Sequence, residues 1–424
     1  RLLSVEDSRR GETRYSYTPT GQLERAEYPD GREQWRKSDQ TGNLYPDPDM
    51  RLRRYLGGGR LEQDGEWHCE YDADGNLTER YLGTGRWLDG KKDRWRYRWN
   101  ADGSLAKVVQ PDKREVEFTY DALGRRLSKS FGTTVTRWVW NGNVPLHQWK
   151  RRREYSVMGN RWRTDTERCD MTVWLFDEES FVPVAMIKEG RSYSILTDQL
   201  GTPTEAYDAE GNEVWSRVLD MDGNVIEETG NKGMVPFLFQ GQYYDRETGL
   251  AYNRFRYYSP KMGMYVSQDP IGLAGGILNL YGYVDDTLSF IDILGLIKFR
   301  RNMSEREVQS TLENGGLVRG INGSRGAKWI STMDNSYRDV NGLEVVLDMN
   351  DDVVNSIIKP RVLDYENMIG GESKNMDKVL VKSNEPGAMG IGVGILENFN
   401  QYIKSITVYK IVKGKRKQIH YQQK

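Results

Sequence analysis

One short phrase recurs along the first two thirds of this 424-residue chain and restricts its fold more than any other feature. An aromatic, a polar residue, a glycine and a leucine keep near-constant offsets in Tyr17-Thr18-Pro19-Thr20-Gly21-Gln22-Leu23 and Tyr71-Asp72-Ala73-Asp74-Gly75-Asn76-Leu77. They do so again in Trp99-Asn100-Ala101-Asp102-Gly103-Ser104-Leu105 and Tyr120-Asp121-Ala122-Leu123-Gly124-Arg125-Arg126-Leu127. Asp39-Gln40-Thr41-Gly42-Asn43-Leu44 and Tyr207-Asp208-Ala209-Glu210-Gly211-Asn212 are partial copies. Each phrase reads as a hairpin: the aromatic closes one strand, Asp or Asn opens the turn, Gly takes the positive φ, and Leu begins the return strand. Segments of period two, such as Arg94-Trp95-Arg96-Tyr97-Arg98-Trp99 and Val116-Glu117-Phe118-Thr119-Tyr120, flank the turns as half-buried strands do. A lone hairpin cannot bury its aromatic face, so the copies are expected to stack into a long sheet, a wall rather than an active site.

The phrase ends before residue 297, and composition changes there. Eleven of the 12 Trp precede this point and only Trp329 follows it. Residues 297–424 carry 20 basic and 15 acidic side chains, about +5, which leaves about −6 for the remainder. Two domains are expected: a mostly β repeat shell over 1–296 and a small α+β domain over 297–424. With 61 Lys and Arg against 62 Asp and Glu, the whole chain is nearly neutral, which excludes a chain-wide grip on a polyanion. Hydrophobic residues make up only 37%, so 25 Tyr and 12 Trp must supply much of the core. Cys69 and Cys169 are too few for a disulfide framework or a Cys-rich zinc site, and two buried free thiols are the plainer reading. No apolar run is long enough to span a bilayer, so no membrane partner is expected; the opening Arg1-Leu2-Leu3-Ser4 resembles a cut through a longer polypeptide.

Further motifs follow in order toward residue 296. They are Trp174-Leu175-Phe176-Asp177 with Phe181-Val182-Pro183-Val184-Ala185, Thr197-Asp198-Gln199-Leu200-Gly201-Thr202-Pro203, and Gly241-Gln242-Tyr243-Tyr244-Asp245-Arg246-Glu247-Thr248-Gly249-Leu250. Then come Tyr252-Asn253-Arg254-Phe255-Arg256-Tyr257-Tyr258, Asp269-Pro270-Ile271-Gly272-Leu273-Ala274-Gly275-Gly276, Asn279-Leu280-Tyr281-Gly282-Tyr283-Val284 and Ile291-Asp292-Ile293-Leu294-Gly295-Leu296. With the repeated phrase, this series resembles the core of the Rhs/YD-repeat family of polymorphic toxins. The resemblance implies a β-cage around a variable C-terminal toxin, delivered between bacteria, commonly by type VI secretion. Implied partners are a secretion spike, a chaperone and a cognate immunity protein; the implied location is the cytoplasm of the target bacterium, after secretion.

The same resemblance implies aspartyl autoproteolysis after the Gly-Leu that closes the core motif. At the matching positions Asp269 and Asp292 are the dyad and Leu296-Ile297 is the scissile bond. Two nearby carboxylates suit that chemistry because they can share one proton, one polarising the carbonyl while the other activates water. The plainer reading makes both aspartates turn caps. The chain departs from the family where Asp286-Thr287 replaces Asn-Pro and where Asp292-Ile293 replaces Asp-Pro. Loss of the second proline frees φ at 293 beside the carboxylate, which predicts slowed or absent self-cleavage.

From Ile297 onward the pattern is ordinary α/β. Ser304 and Glu307 form a capping box for a helix over 304–312, and Gly315-Gly316 ends it. Strands are expected at 317–320, 328–332, 343–349, 379–382, 388–393 and 405–411. The region has no Cys and one His, His420, which excludes a zinc deaminase and disfavours histidine-pair ribonucleases and His-metal nucleases. No Gly-x-x-x-x-Gly-Lys loop suggests a kinase.

ADP-ribosyl transfer from NAD needs none of those residues. It needs an Arg for the dinucleotide phosphates, a Ser/Thr strand to shape the nicotinamide pocket, and a Glu to stabilise the oxocarbenium-like ribose. Leu317-Val318-Arg319-Gly320, Lys328-Trp329-Ile330-Ser331-Thr332 and Asn384-Glu385-Pro386-Gly387-Ala388-Met389-Gly390-Ile391-Gly392 resemble the three ADP-ribosyltransferase motifs in chain order. The resemblance implies that Arg319, Ser331 and Glu385 are catalytic and that Arg319, Gly320, Ser331, Thr332 and Tyr337 bind NAD, with a protein or RNA of the target cell accepting ADP-ribose. Each has a plainer reading: a solvated strand-end arginine, ordinary strand hydroxyls, a core tyrosine at 337. Glu397 competes with Glu385, which is preferred because Pro386-Gly387 and the small strand beyond it leave room for a ligand. Lys413, Lys415, Arg416 and Lys417 read as a solvated tail or a grip on RNA, and Asp348-Met349-Asn350-Asp351-Asp352 as a cap for a helix over 353–357 rather than a metal site. Two other readings stand beside the transferase: a nuclease using carboxylates and a metal, and a structural repeat protein with an inert tail.

Overall fold

The computed structural model describes residues 1–83, 92–178, 180–270 and 279–292 with their side chains, and eight backbone strands after residue 292. The chain divides into two compact units, Arg1–Gln268 with Tyr281–Gly295, and Asp269–Leu280 with Leu296–Lys424.

In the first unit the repeated phrase builds hairpins as its chemistry dictates. In the copy at Tyr71, the Asp72 N–H donates to Asn76 O at 3.0 Å and the Gly75 N–H to Asp72 O at 3.1 Å. The Asp72 carboxylate accepts from the Asn76 N–H at 2.8 Å, so one side chain both opens and closes the turn. Gly21, Gly75, Gly103 and Gly124 all take φ between +77° and +94°, the left-handed region that favours glycine. A register shift follows each turn: Tyr17 faces Leu23 but Ser16 faces Arg25, and Tyr120 faces Arg126 but Thr119 faces Ser128, so one extra residue, Glu24 or Leu127, bulges from the return strand.

The residue two positions after each glycine points into the core. Leu23, Leu77 and Leu105 occupy that slot and are fully buried. In the fourth copy the slot belongs to Arg126, which is 1% exposed, while Leu127 is 38% exposed. The return strand of this copy, Arg126–Phe131, therefore begins at Arg126 and not at Leu127, where the aligned phrase places it. The turn fixes the offset from glycine, and alternation along the strand sends the next residue to the opposite face.

The hairpins stack as expected, and the resulting sheet closes on itself. Strands from Arg53–Leu56 to Val225–Gly230 run as an antiparallel meander in one closed barrel. A second sheet, made of Tyr243–Asp245, Leu250–Asn253, Arg256–Ser259 and Met264–Tyr265, is buried along almost its whole length. Aromatic edges join it to the wall: Trp138 meets Tyr243 edge-on at 5.3 Å, and Tyr120 and Tyr257 share a hydroxyl contact of 2.9 Å. Trp174 and Trp215 are fully buried. A third sheet, Ser4–Asp7, Gly11–Tyr17, Leu23–Glu27 and Glu33–Trp35, carries the N-terminal hairpins. Cys69 is buried as expected, whereas Cys169, which begins the strand Cys169–Phe176, is exposed.

In the second unit eight strands form one sheet. Its order is Val362–Asp364, Val379–Val381, Ala388–Ile391, Lys328–Ser331, Phe299–Met303, Asn341–Met349, Ile403–Val412 and Lys415–Gln423. Five of the six expected strands have counterparts here; the strand at 317–320 and the helices at 304–312 and 353–357 lie outside the described residues. Lys415, Arg416 and Lys417 are not a free tail. They begin a strand paired with Ile403–Val412, Lys415 opposite Val412, because the segment after them alternates through Gln418, His420 and Gln422. Asp348 and Met349 likewise end a strand, opposite Ser405 and Ile403.

Candidate functional site

The strands Leu250–Asn253 and Arg256–Ser259 are joined by a two-residue turn, Arg254-Phe255, and Asn253 lies directly opposite Arg256. Arg254 holds φ at +55°, which costs a side-chain-bearing residue roughly 1 kcal/mol. Its guanidinium donates to Leu123 O at 2.8 Å and to Asn143 Oδ1 at 3.0 Å, contacts that fasten the turn to the wall. The turn therefore presents an amide and a guanidinium side by side in the core.

Both reach Asp292. The Arg256 Nη2 donates to Asp292 Oδ2 at 3.1 Å, and the Tyr265 hydroxyl donates to the same oxygen at 2.9 Å. Asn253 Nδ2 donates to Asp292 O at 2.9 Å and to the Tyr265 oxygen at 2.7 Å, while the Asp292 N–H donates to the Tyr283 oxygen at 3.3 Å. The Arg256 guanidinium also lies 3.6 Å over the Tyr265 ring. All five residues are buried, Asp292 being 4% exposed. Burial first, and the neighbouring carboxylate second, hold the Tyr265 phenol well above its ordinary value, so it stays a donor. The Asp292 carboxylate is thus held in place by a guanidinium and a phenol that donate to the same oxygen. Such a carboxylate can orient a polar group and accept a proton.

Asp292 is thus more than a turn cap. Asp269 falls in the second unit, where its N–H donates to Leu280 O at 2.8 Å. Leu296 lies outside the described residues, as do Arg319, Gly320, Thr332, Tyr337, Glu385 and Glu397. Ser331 is described as backbone: it ends the strand Lys328–Ser331 and pairs with Ala388 on one side and Arg300 on the other. Ala388 begins the strand that starts three residues after Glu385, so the second and third transferase-like segments are hydrogen-bonded neighbours. Among the described residues no group of three His, Cys, Asp or Glu side chains is arranged to hold a metal.

Sequence reasoning missed Asn253, Arg256, Tyr265 and Tyr283. For Asn253 and Arg256 the available signal is Asn-x-x-Arg across a two-residue turn, which places both side chains on one face; Tyr265 falls in none of the motifs. The departure at 286–287 also has an explanation. Asp286 caps the turn, its carboxylate accepting from the Leu288 N–H at 3.0 Å, and the Thr287 hydroxyl donates to Met221 O at 2.6 Å, a bond proline could not make.

Residues 2–274 match the Teneurin YD-shell family. The double-stranded DNA deaminase toxin A of Burkholderia cenocepacia is 32% identical over 320 residues, covering 70% of this chain and 21% of that protein. The "Probable deoxyribonuclease RhsA" of Dickeya dadantii is 30% identical over 246 residues, 57% of this chain and 16% of that one. The toxin protein Tse5 of Pseudomonas aeruginosa is 34% identical over 268 residues, 57% and 19%. The chain spans about a fifth of the length of these relatives, and residues 297–424 lie outside the family match. Recurring glycine hairpins, the barrel they close and a match over more than half of its length make this chain a member of the Teneurin YD-shell family.

Proposed function

We propose that the chain is part of an Rhs-type polymorphic toxin used between bacteria. Its shell, residues 1–296, cleaves the Leu296-Ile297 bond, and residues 297–424 transfer ADP-ribose from NAD to a macromolecule in the target cell. The observation that carries the first half is the buried Asp292 carboxylate bonded to Arg256 and Tyr265. Oriented by Arg256 and Tyr265, Asp292 accepts a proton from the attacking water, while Asp269 polarises the Leu296 carbonyl and gives its proton to the departing Ile297 amine. On a denaturing gel, the full chain yields two fragments and Asp292→Asn stays intact. Ile293→Pro, which restores the family's Asp-Pro, accelerates cleavage. An unchanged fragment pattern in Asp292→Asn would sink the protease reading.

For the second half, the support is the pairing of the Ser331 strand with the strand that follows Glu385. In the reaction the bond from ribose C1′ to the nicotinamide nitrogen breaks, nicotinamide leaves with the electron pair, and the acceptor bonds to C1′ and loses its proton. Arg319 holds the phosphates, Ser331 and Thr332 shape the nicotinamide pocket, and Glu385 stabilises the cationic ribose. Candidate acceptors include a translation component such as elongation factor Tu; partners include an immunity protein and a secretion apparatus, as toxin relatives such as Tse5 suggest. Incubating the full chain with labelled NAD and a bacterial lysate labels a macromolecule, and Glu385→Gln abolishes the label while Glu397→Gln keeps it. A nuclease cargo is the second reading, favoured by the name of the Dickeya relative. Absence of label together with degraded DNA or RNA would select it. Deaminase chemistry of the Burkholderia kind is not proposed, because residues 297–424 contain no Cys.

A further inference from the structure

The strand Val144–Ser156 outruns the wall it belongs to. It pairs with Thr134–Asn141 as far as Arg152 and with Cys169–Phe176 as far as Lys150. Beyond that, from Arg153 to Ser156, it pairs with Arg161–Thr164. The two form an arm whose apex is the turn at 157–160. Val157 is 83% exposed and Met158 104%, and Tyr155 and Trp162 behind them are nearly half exposed. The apex is pre-formed: the Asn160 N–H donates to Val157 O at 3.3 Å, the Gly159 N–H to Ser156 Oγ at 3.3 Å, and Asn160 takes φ of +46°. The Tyr155 hydroxyl bonds to Asn160 Oδ1, and its ring meets Trp162 edge-on at 5.4 Å. From 152 to 163 the arm carries four arginines against one acid, Glu154; Arg152, Arg161 and Arg163 are exposed, and Arg153 lies 4.3 Å over Trp162.

We propose that this arm docks on an anionic lipid bilayer. The order of side chains along it follows the depth profile of a membrane surface. Two aliphatic residues lead, a Tyr-Trp pair with apolar bodies and polar edges comes next, and a cationic collar stands where lipid phosphates lie. The arm is convex, so it suits a soft surface that it can enter rather than a ligand that needs enclosure. Its apex is already ordered by internal hydrogen bonds, so docking sacrifices little conformational freedom. The expectation of no membrane partner rested on spanning segments; among the described residues no helix is long and apolar enough to cross a membrane, and surface adsorption needs none.

The full chain is to be sedimented with vesicles of phosphatidylcholine mixed with phosphatidylglycerol, and with vesicles of phosphatidylcholine alone. It sediments with the mixed vesicles, less so as salt is raised, and only weakly with the neutral ones. Val157→Asp with Met158→Asp lowers the partition about tenfold or more. Arg161→Gln with Arg163→Gln lowers it while leaving the apex intact. Both pairs are on exposed positions, and an unchanged thermal transition establishes that each variant is folded. Failure to sediment with the mixed vesicles, equal sedimentation with both kinds, or wild-type sedimentation of the folded apex variant overturns the proposal.

Discussion

Asp220 illustrates how one residue's surroundings set a property of the whole fold. It opens the turn Asp220-Met221-Asp222-Gly223-Asn224, and its carboxylate accepts from the Asp222 N–H at 2.9 Å, the Asn224 N–H at 2.8 Å and Asn224 Nδ2 at 2.9 Å. Those bonds favour the charged form, yet burial, with the Asp222 charge behind it, wins and pushes the carboxyl up to about 7. The folded chain therefore holds this proton more tightly than the unfolded chain, whose aspartate titrates near its ordinary value of 3.8. The unfolding free energy falls as pH rises from about 4 to about 7, by on the order of a few kcal/mol, and this contribution is flat above that range. In Asp220→Asn, urea melts taken across that range show a smaller loss of stability with rising pH. A slope identical to wild type would mean that the carboxyl is ionised throughout.

At the scale of elements, the hairpins were legible because their chemistry is local: an Asp or Asn, a Gly three positions on, and an alternating return strand. The error at Leu127 came from matching letters rather than offsets, and it concealed the residue that ties wall to inner sheet. Arg126 bonds to Asp245 in the core, Lys129 donates to Asp245 at 2.9 Å and to Glu247 at 2.8 Å, and the Arg126 guanidinium lies within 5.5 Å of the rings of Phe118, Trp138, Tyr243 and Tyr252. The partners of Asp292 were illegible for a related reason: Arg256 and Asn253 are 36 and 39 residues away, and only the folded sheet brings them together. The Arg126 network gives an ordered pair of outcomes. Asp245→Ala leaves the Arg126 guanidinium buried without its carboxylate partner, and Lys129 with Glu247 alone, and costs about 3–5 kcal/mol. Arg126→Leu costs less, since Lys129 still neutralises Asp245 and leucine is the residue other copies carry in this slot. Denaturant midpoints in the reverse order would show that the aromatic contacts, not the charge pairing, dominate at Arg126.

At the scale of the first unit, the N-terminal sheet and the segment leading to Asp292 share one fastening. Arg36, at the end of Glu33–Trp35, is 3% exposed and donates to Asp222 Oδ1 at 3.0 Å, Asp285 O at 2.8 Å and Val284 O at 2.6 Å. The Leu23 N–H adds a bond to Asp285 O at 3.2 Å, and Gln34 donates to Asp222 Oδ2 at 3.0 Å. Three elements distant in sequence thus converge on one guanidinium, and Asp285, one of its acceptors, lies seven residues before Asp292. Arg36→Met keeps the aliphatic stem but removes all three bonds, leaving Asp285 O to the Leu23 N–H and Asp222 to Gln34, and each lost guanidinium bond costs about 1–3 kcal/mol. The loss is local to the junction, so opening should be sub-global rather than complete. In hydrogen exchange, peptides covering 23–36 and 283–290 lose protection together in this variant, while those covering the wall strands Glu115–Tyr120 and Thr134–Asn141 keep theirs. If only 23–36 opens, the N-terminal sheet is a separate attachment that does not steady the Asp292 segment; if the wall strands open equally, Arg36 supports the barrel as a whole and the junction is not a distinct unit.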